Sequence, residues 1–225
     1  MGVQRGLDGV TFSGGGNSLE WFKINEGETK TIRFLTEGSE IISLPKHFVK
    51  VGKFKGNIMC LNNPEENKFD CPLCRNAGKE FGSPISTATE RCYAVIIDRE
   101  TGEPKILEGT KGVYNQLSEI YKTNKSITNV DYSFSKKKGS SKWIDYKLNA
   151  LITTARPLTK EEKELGAKMN LEDVISAFSK THAEVKKILE GKAEEKHITK
   201  KNIEVEGDLN ASLESIAESD DLFED

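Results

Sequence analysis

Apolar and polar residues alternate with two different periods along this chain, and the change of period divides it into a strand-rich front and a helical rear. From Leu19 to about Ile58 the period is two: in TIRFL, Ile32 and Phe34 fall on one face, Arg33 and Leu35 on the other. RCYAVIID, residues 91–98, predicts another strand, and DRETGEPK turns into a further one at KIL. A short helix is predicted next, with Thr110 at its N-cap and Val113, Tyr114, Leu117, Ile120 and Tyr121 at helical spacing. DYSFSKKKGSSKWIDYKLNALIT then reads as a hairpin that turns within KKKGSS. Its second arm puts Ile144, Tyr146, Leu148, Ala150 and Ile152 toward a core, and Trp143, Asp145, Lys147 and Asn149 the other way.

After Pro157 the period becomes helical. Thr159 with Glu162 and Thr181 with Glu184 have capping-box spacing, and Gly191 can stop the last helix. Four stretches follow: a Gly-rich arm at 1–18, a strand-rich core at 19–157, a helical segment at 158–191, and a charged linker with an acidic tail at 192–225. Many short strands with one inserted helix predict a mainly β fold of small-barrel type, with α elements added. Periodicity does not separate a barrel from a sandwich.

Composition adds two constraints. With 36% hydrophobic and 31% charged residues, the chain suits a globular protein with polar extensions. No run approaches the ~20 apolar residues of a membrane span, and MGVQRGLDGVTF has no signal-peptide stretch, so a cytoplasmic setting with reduced thiols is expected. The net charge of −3 is unevenly spread. Residues 204–225 hold 9 of the 36 acidic residues and no Lys or Arg, which leaves 33 basic against 27 acidic residues before Glu204.

The stretch CLNNPEENKFDCPLC holds three of the four cysteines. Cys71-Pro-Leu-Cys74 can place two thiolates at adjacent corners of a tetrahedron, and Cys60 is a third donor upstream. His47, at the end of a strand leading toward Cys60, is the expected fourth ligand. Cys92 is the alternative, although its place in RCYAVIID already suits a small buried residue. A redox pair is disfavoured because no βαβ pattern surrounds the CxxC. Four protein ligands leave no open position, so a structural Zn²⁺ is expected, ordering a loop around 47–75 that has few apolar residues.

The order His47-x12-Cys60-x10-Cys71-x2-Cys74, with a strand about seventeen residues later, resembles the zinc-containing single-stranded DNA-binding proteins of T-even-like bacteriophages. The likeness covers roughly residues 19–155 together with the acidic ending ESDDLFED. It implies an OB-fold, a five-stranded Greek-key barrel with an inserted zinc loop and C-terminal helices. It also implies a role in coating single-stranded DNA during phage replication, recombination and repair, in the cytoplasm of the infected host cell. The family's best-known members carry a Lys-Arg-Lys-Ser-Thr type arm for cooperative binding. MGVQRGLDGV has only Arg5, which puts that property in doubt.

Binding a single strand without sequence preference needs cations along its backbone and aromatic faces for its bases. The sequence interleaves the two. Phe48 lies between Lys46 and Lys50, Arg91 and Tyr93 share one strand face, and Arg33 sits in TIRFL. Phe134 is followed by Lys136, Lys137 and Lys138, and Trp143 shares an outer face with Lys147. Phe81, just past the thiols, resembles a position where the family places a groove aromatic. Tyr93 and Phe134 also suit a barrel interior, and the three lysines an ordinary hairpin turn.

In the tail, Asp220, Asp221, Glu224 and Asp225 surround the apolar pair Leu222 and Phe223. The carboxylates can imitate phosphates, and the pair can enter a pocket on a replication or recombination partner such as a polymerase, helicase loader or recombinase. A second class, a zinc-ribbon transcription or adaptor protein acting through protein contacts, explains the thiols but not the interleaved cations and rings. No HExxH, no H-x-E with PCxxC and no paired acidic cluster is visible, so no catalytic residues, small-molecule substrate or membrane partner are expected.

Overall fold

The long strand β4, Thr89–Asp98, organises the sheet because it is paired along both edges. In the computed structural model, which describes residues 20–192 apart from 65, 79, 81 and 139–143, one edge of β4 runs antiparallel to β5, Pro104–Thr110. The opposite edge serves two strands in succession. Its first half pairs with β2, Ile42–Val51, and its second half with β1, Thr29–Phe34. The excursion between β1 and β2 closes the gap, since Leu35 N–H donates to Val95 O at 2.9 Å and Thr36 Oγ1 accepts from Val95 N–H at 2.8 Å.

From β2 the sheet continues to β3, Phe54–Met59, and from β1 to β6, Asp131–Lys138, and β7, Ile144–Leu151. All these pairings are antiparallel, and the result is a curled, half-barrel sheet. Helix α2, Lys111–Asn124, packs between β5 and β7. Its Gln116 side chain behaves like a neighbouring strand: Nε2–H donates to Tyr146 O at 3.0 Å and Oε1 accepts from Leu148 N–H at 2.9 Å. An exposed sheet edge is thereby partly satisfied.

The two sheet faces carry different cores. On the inner face Ile32, Phe34, Cys92, Ala94, Ile96, Tyr132, Phe134 and Leu148 pack with Val113 and Leu117 of α2. On the outer face Ile42, Leu44, Tyr93, Val95 and Ile106 are covered by Trp21 and by α4, Leu171–Phe178. Beyond Met59 the chain forms the thiol-bearing segment with α1, Pro72–Asn76, whose Leu73 packs with Val49, Ile58 and Ile85. Helix α5, His182–Leu189, adds Val185 and Ile188 to this third cluster. Three residues separate α4 on the outer face from α5 beside the thiols.

Helix α3, Lys160–Ala167, is held by charge. Glu162 forms ion pairs with Arg156 at 2.6 Å and Arg99 at 2.9 Å, and Arg99 meets Asp131 at 2.7 Å. Both expected capping boxes are present, at Thr159 with Glu162 and Thr181 with Glu184, and Gly191 adopts φ +70 after α5. Among the described residues three short helices follow Pro157, because Asn170 and Thr181 each start a new one.

Two expected core residues are exposed. Ile152 lies in a 3-10 turn beyond the last β6–β7 pair, Asp131 with Leu151, so alternation no longer governs it. Ile144 pairs with Lys138 at the far end of the hairpin, past the inner-face core. Among the described residues no helix is long and apolar enough to cross a membrane. The arm at 1–18 and the tail residues Asp220, Asp221, Leu222, Phe223, Glu224 and Asp225 lie outside the described residues.

Candidate metal centre and nucleic-acid interface

His47, Cys60, Cys71 and Cys74 converge, with one ligand atom from each within 4.8 Å of all the others. Cys60 Sγ lies 3.5 Å from Cys74 Sγ, and His47 Nε2 lies 3.8 Å from Cys71 Sγ and 3.4 Å from Cys74 Sγ. Zn–S and Zn–N bonds of about 2.3 and 2.0 Å at tetrahedral angles require separations of about 3.8 Å between sulfurs and about 3.5 Å between sulfur and nitrogen. The donor set therefore has the size and shape to hold a metal ion.

Each ligand is positioned by a different element. His47 comes from β2, where it faces the third core cluster, and Cys60 follows β3, tied by its N–H to Pro45 O at 2.8 Å. Cys71 and Cys74 lie one turn apart around the start of α1. Outer contacts fix their orientation. His47 Nδ1–H donates to Ser86 O at 2.8 Å, leaving Nε2 toward the thiols. Asn62 accepts from Cys71 N–H at 2.9 Å and donates to Cys74 Sγ at 3.3 Å.

Protons are unevenly shared in this cluster. A hydrogen bond from Cys60 and another from His47 hold the Cys71 thiol well below the usual thiol range, whereas the bond to Cys71 and burial push Cys60 far up. A divalent cation displaces such protons on binding. Cys92 takes no part: it is buried on the inner face of β4, and burial pushes its thiol up to about 12.

The nucleic-acid candidates separate into three groups. Phe48, Lys50 and Arg91 fall on the outer sheet face with Lys46, because alternation along β2 and the Leu44–Arg91 pairing bring them to one side. Lys50 is exposed, and Phe48 and Arg91 are half-buried. Lys55 joins them as the direct partner of Lys50 across the β2–β3 ladder.

The second group lies on the β6–β7 hairpin. Alternation there splits the three lysines: Lys136 and Lys138 pair with Tyr146 and Ile144 on one face, whereas Lys137 and Lys147 occupy the other. Lys137, Lys138 and Lys147 are exposed.

The third group is internal, and here the sequence reading is corrected. Arg33 is 0% exposed and spends its guanidinium on Thr128 O, Asp131 and Arg156 O. Phe134 is 1% exposed and stacks on Tyr146 with centroids 5.7 Å apart. Tyr93 is 0% exposed, its ring enclosed by Trp21 and Phe178 at 6.1 and 6.0 Å. Arg33 and Phe134 offer no solvent-facing surface to a phosphate or a base, and the enclosed ring of Tyr93 offers none to a base. Phe81 and Trp143 lie outside the described residues.

Asn62, Ser86 and Glu108 escaped the sequence reading. Spacing carries no signal for Ser86 or Glu108, because each meets its partners only across strands. Asn62, two residues from a ligand and Asp/Asn-rich in context, carried a weak one. No protein-family model matches the chain, and neither does any curated protein or solved structure.

Proposed function

We propose that this protein binds single-stranded DNA without sequence preference, on an OB-like Greek-key barrel braced by a structural zinc ion inserted as a loop between strands. One observation carries the reading. Lys50 and Lys55 stand directly opposite each other on β2 and β3, on the face that also holds Phe48 and Arg91. Like charges directly opposite in an antiparallel pair destabilise it. An anionic chain lying across the hairpin reverses that penalty, and Phe48 supplies a ring face between the cations.

Three thiolates and an imidazole favour zinc among divalent metals, and four protein donors leave no position for a substrate, so the ion is assigned a structural role. Stacking is worth ~1 to 3 kcal/mol per base, and the lysines add a steep salt dependence by releasing counterions. On the second hairpin Lys137 and Lys147 add positive charge on one face, and Lys136 and Lys138 add it on the other. The acidic tail is assigned to recruiting replication and recombination proteins.

The test combines metal analysis with titration of oligo-dT across a salt series. The expected result is one zinc per chain and an affinity that falls steeply with salt. A folded protein free of metal, or one indifferent to oligo-dT in dilute buffer, overturns the proposal.

A further inference from the structure

On the outer sheet face, Glu108 of β5 reaches across β4 into a cluster of positive and donor groups. Its carboxylate meets Lys46 Nζ at 2.9 Å and Arg91 Nε at 3.4 Å. Tyr93, its direct partner on β4, has a buried hydroxyl with no hydrogen-bond partner, and Arg91 Nε is buried and likewise makes no hydrogen bond of good geometry. Lys46 forms the floor, its side chain 7% exposed and its ammonium 4.7 Å from the centre of the Phe178 ring. Arg91 and Glu108 form the rim at 29% and 33% exposure. Two cations and an idle hydroxyl thus surround one carboxylate that can swing into solvent.

We propose that Lys46, Arg91 and the Tyr93 hydroxyl form a phosphodiester-binding pit, and that Glu108 fills it in the free protein as a stand-in for the phosphate. The inference rests on the single-strand reading above and deepens it. Lys46 and Lys50 are four residues apart on β2, about 13 Å at strand rise, with Phe48 between them on the same face. A strand stacked on Phe48 therefore reaches a phosphate position at Lys50 and another at Lys46. A carboxylate and a phosphate oxygen compete for the same donors, so Glu108 must leave before the backbone seats. Lys46 stays anchored meanwhile by the Phe178 ring, which needs no counterion.

The experiment titrates oligo-dT into the zinc-loaded full chain and into two variants, over a salt series. Glu108→Gln keeps the shape of the side chain but removes its charge. It is expected to tighten binding about 5-fold at low salt and to steepen the plot of log affinity against log salt by about 0.7, one phosphate on a single strand. Lys46→Met fills the floor without charge, and is expected to weaken binding and flatten that slope by a similar amount. Melting temperature and zinc content verify folding, and if Glu108→Gln fails to fold, Lys46→Met decides. Wild-type binding with both variants unchanged in affinity and slope overturns the pit alone. No oligo-dT binding by any of the three proteins overturns the single-strand reading, and the pit with it.

Discussion

His47 and Phe48 are neighbours in β2 and face opposite sides of the sheet, the imidazole into the thiol cluster and the ring onto the face with Lys50 and Arg91. Ser86 ties both down: its carbonyl accepts from His47 Nδ1–H at 2.8 Å, its hydroxyl accepts from Phe48 N–H at 2.8 Å, and its N–H donates to Phe48 O at 2.9 Å. Whatever holds the imidazole therefore holds the backbone that aims Phe48.

Removing the metal should accordingly disturb a surface on the far side of the strand. Few apolar residues lie in the stretch from Leu61 to Asp70, so under the proposed reading its order comes from metal binding, worth on the order of 10 kcal/mol in small zinc modules. Treatment with a strong chelator, or His47→Ala, is expected to lower the melting temperature and raise amide exchange in both the thiol segment and β2. Exchange confined to 60–76 with β2 unchanged would disprove the bracing role.

Asn62 contacts two ligands without being one. Replacing it with Ala removes the acceptor for Cys71 N–H and the donor to Cys74 Sγ. Outer contacts of this kind are worth about 10- to 100-fold in metal affinity. Competition against a chromogenic chelator should register that loss, while the unliganded melting temperature moves little.

Two aromatic residues expected to act alike should now behave differently. Phe48→Ala is expected to weaken oligo-dT binding by ~1 to 3 kcal/mol with a small effect on melting. Phe134→Ala removes a ring packed against Phe22 and Tyr146 and is expected to destabilise the fold by about 3 to 5 kcal/mol. Any binding defect of Phe134→Ala should disappear once the folded fraction is taken into account. Urea denaturation beside the titration separates the two.

The contrast between these residues also explains what was legible in the sequence. Ligand spacing, strand alternation and capping boxes are local signals, so His47, Cys60, Cys71, Cys74, α2 and the boxes at Thr159 and Thr181 could be read directly. Which face of a strand meets solvent is not local. Arg91 and Tyr93 share a face as alternation requires, yet α4, about 80 residues later in sequence, lands on that face and encloses Tyr93 while leaving Arg91 at the rim. Arg33 reads as an outward cation in TIRFL and is instead buried by the return of the chain through Thr128 and Arg156. Burial of polar residues by distant segments leaves no mark in a single strand's pattern.

Acid should loosen the contact between α3 and the sheet before it unfolds the sheet. The Arg156 guanidinium, joined by Thr159 N–H and Arg99, holds the Glu162 carboxyl at about 2, against an ordinary 4.5. A carboxylate with a depressed folded value stabilises fully above the unfolded value and loses that contribution as pH falls toward the folded one. The window therefore runs from about pH 4.5 down to about pH 2. Glu162 is buried but its first partner, Arg156, is exposed, so Glu162→Gln should destabilise the protein by roughly 1 to 2 kcal/mol at neutral pH. The same variant should lose part of the acid sensitivity, because the group that titrates in that window is gone. Melting curves between pH 6 and pH 3 test both halves: wild type and variant are expected to converge toward acid, and a constant gap across the series would show that Glu162 acts through shape rather than charge.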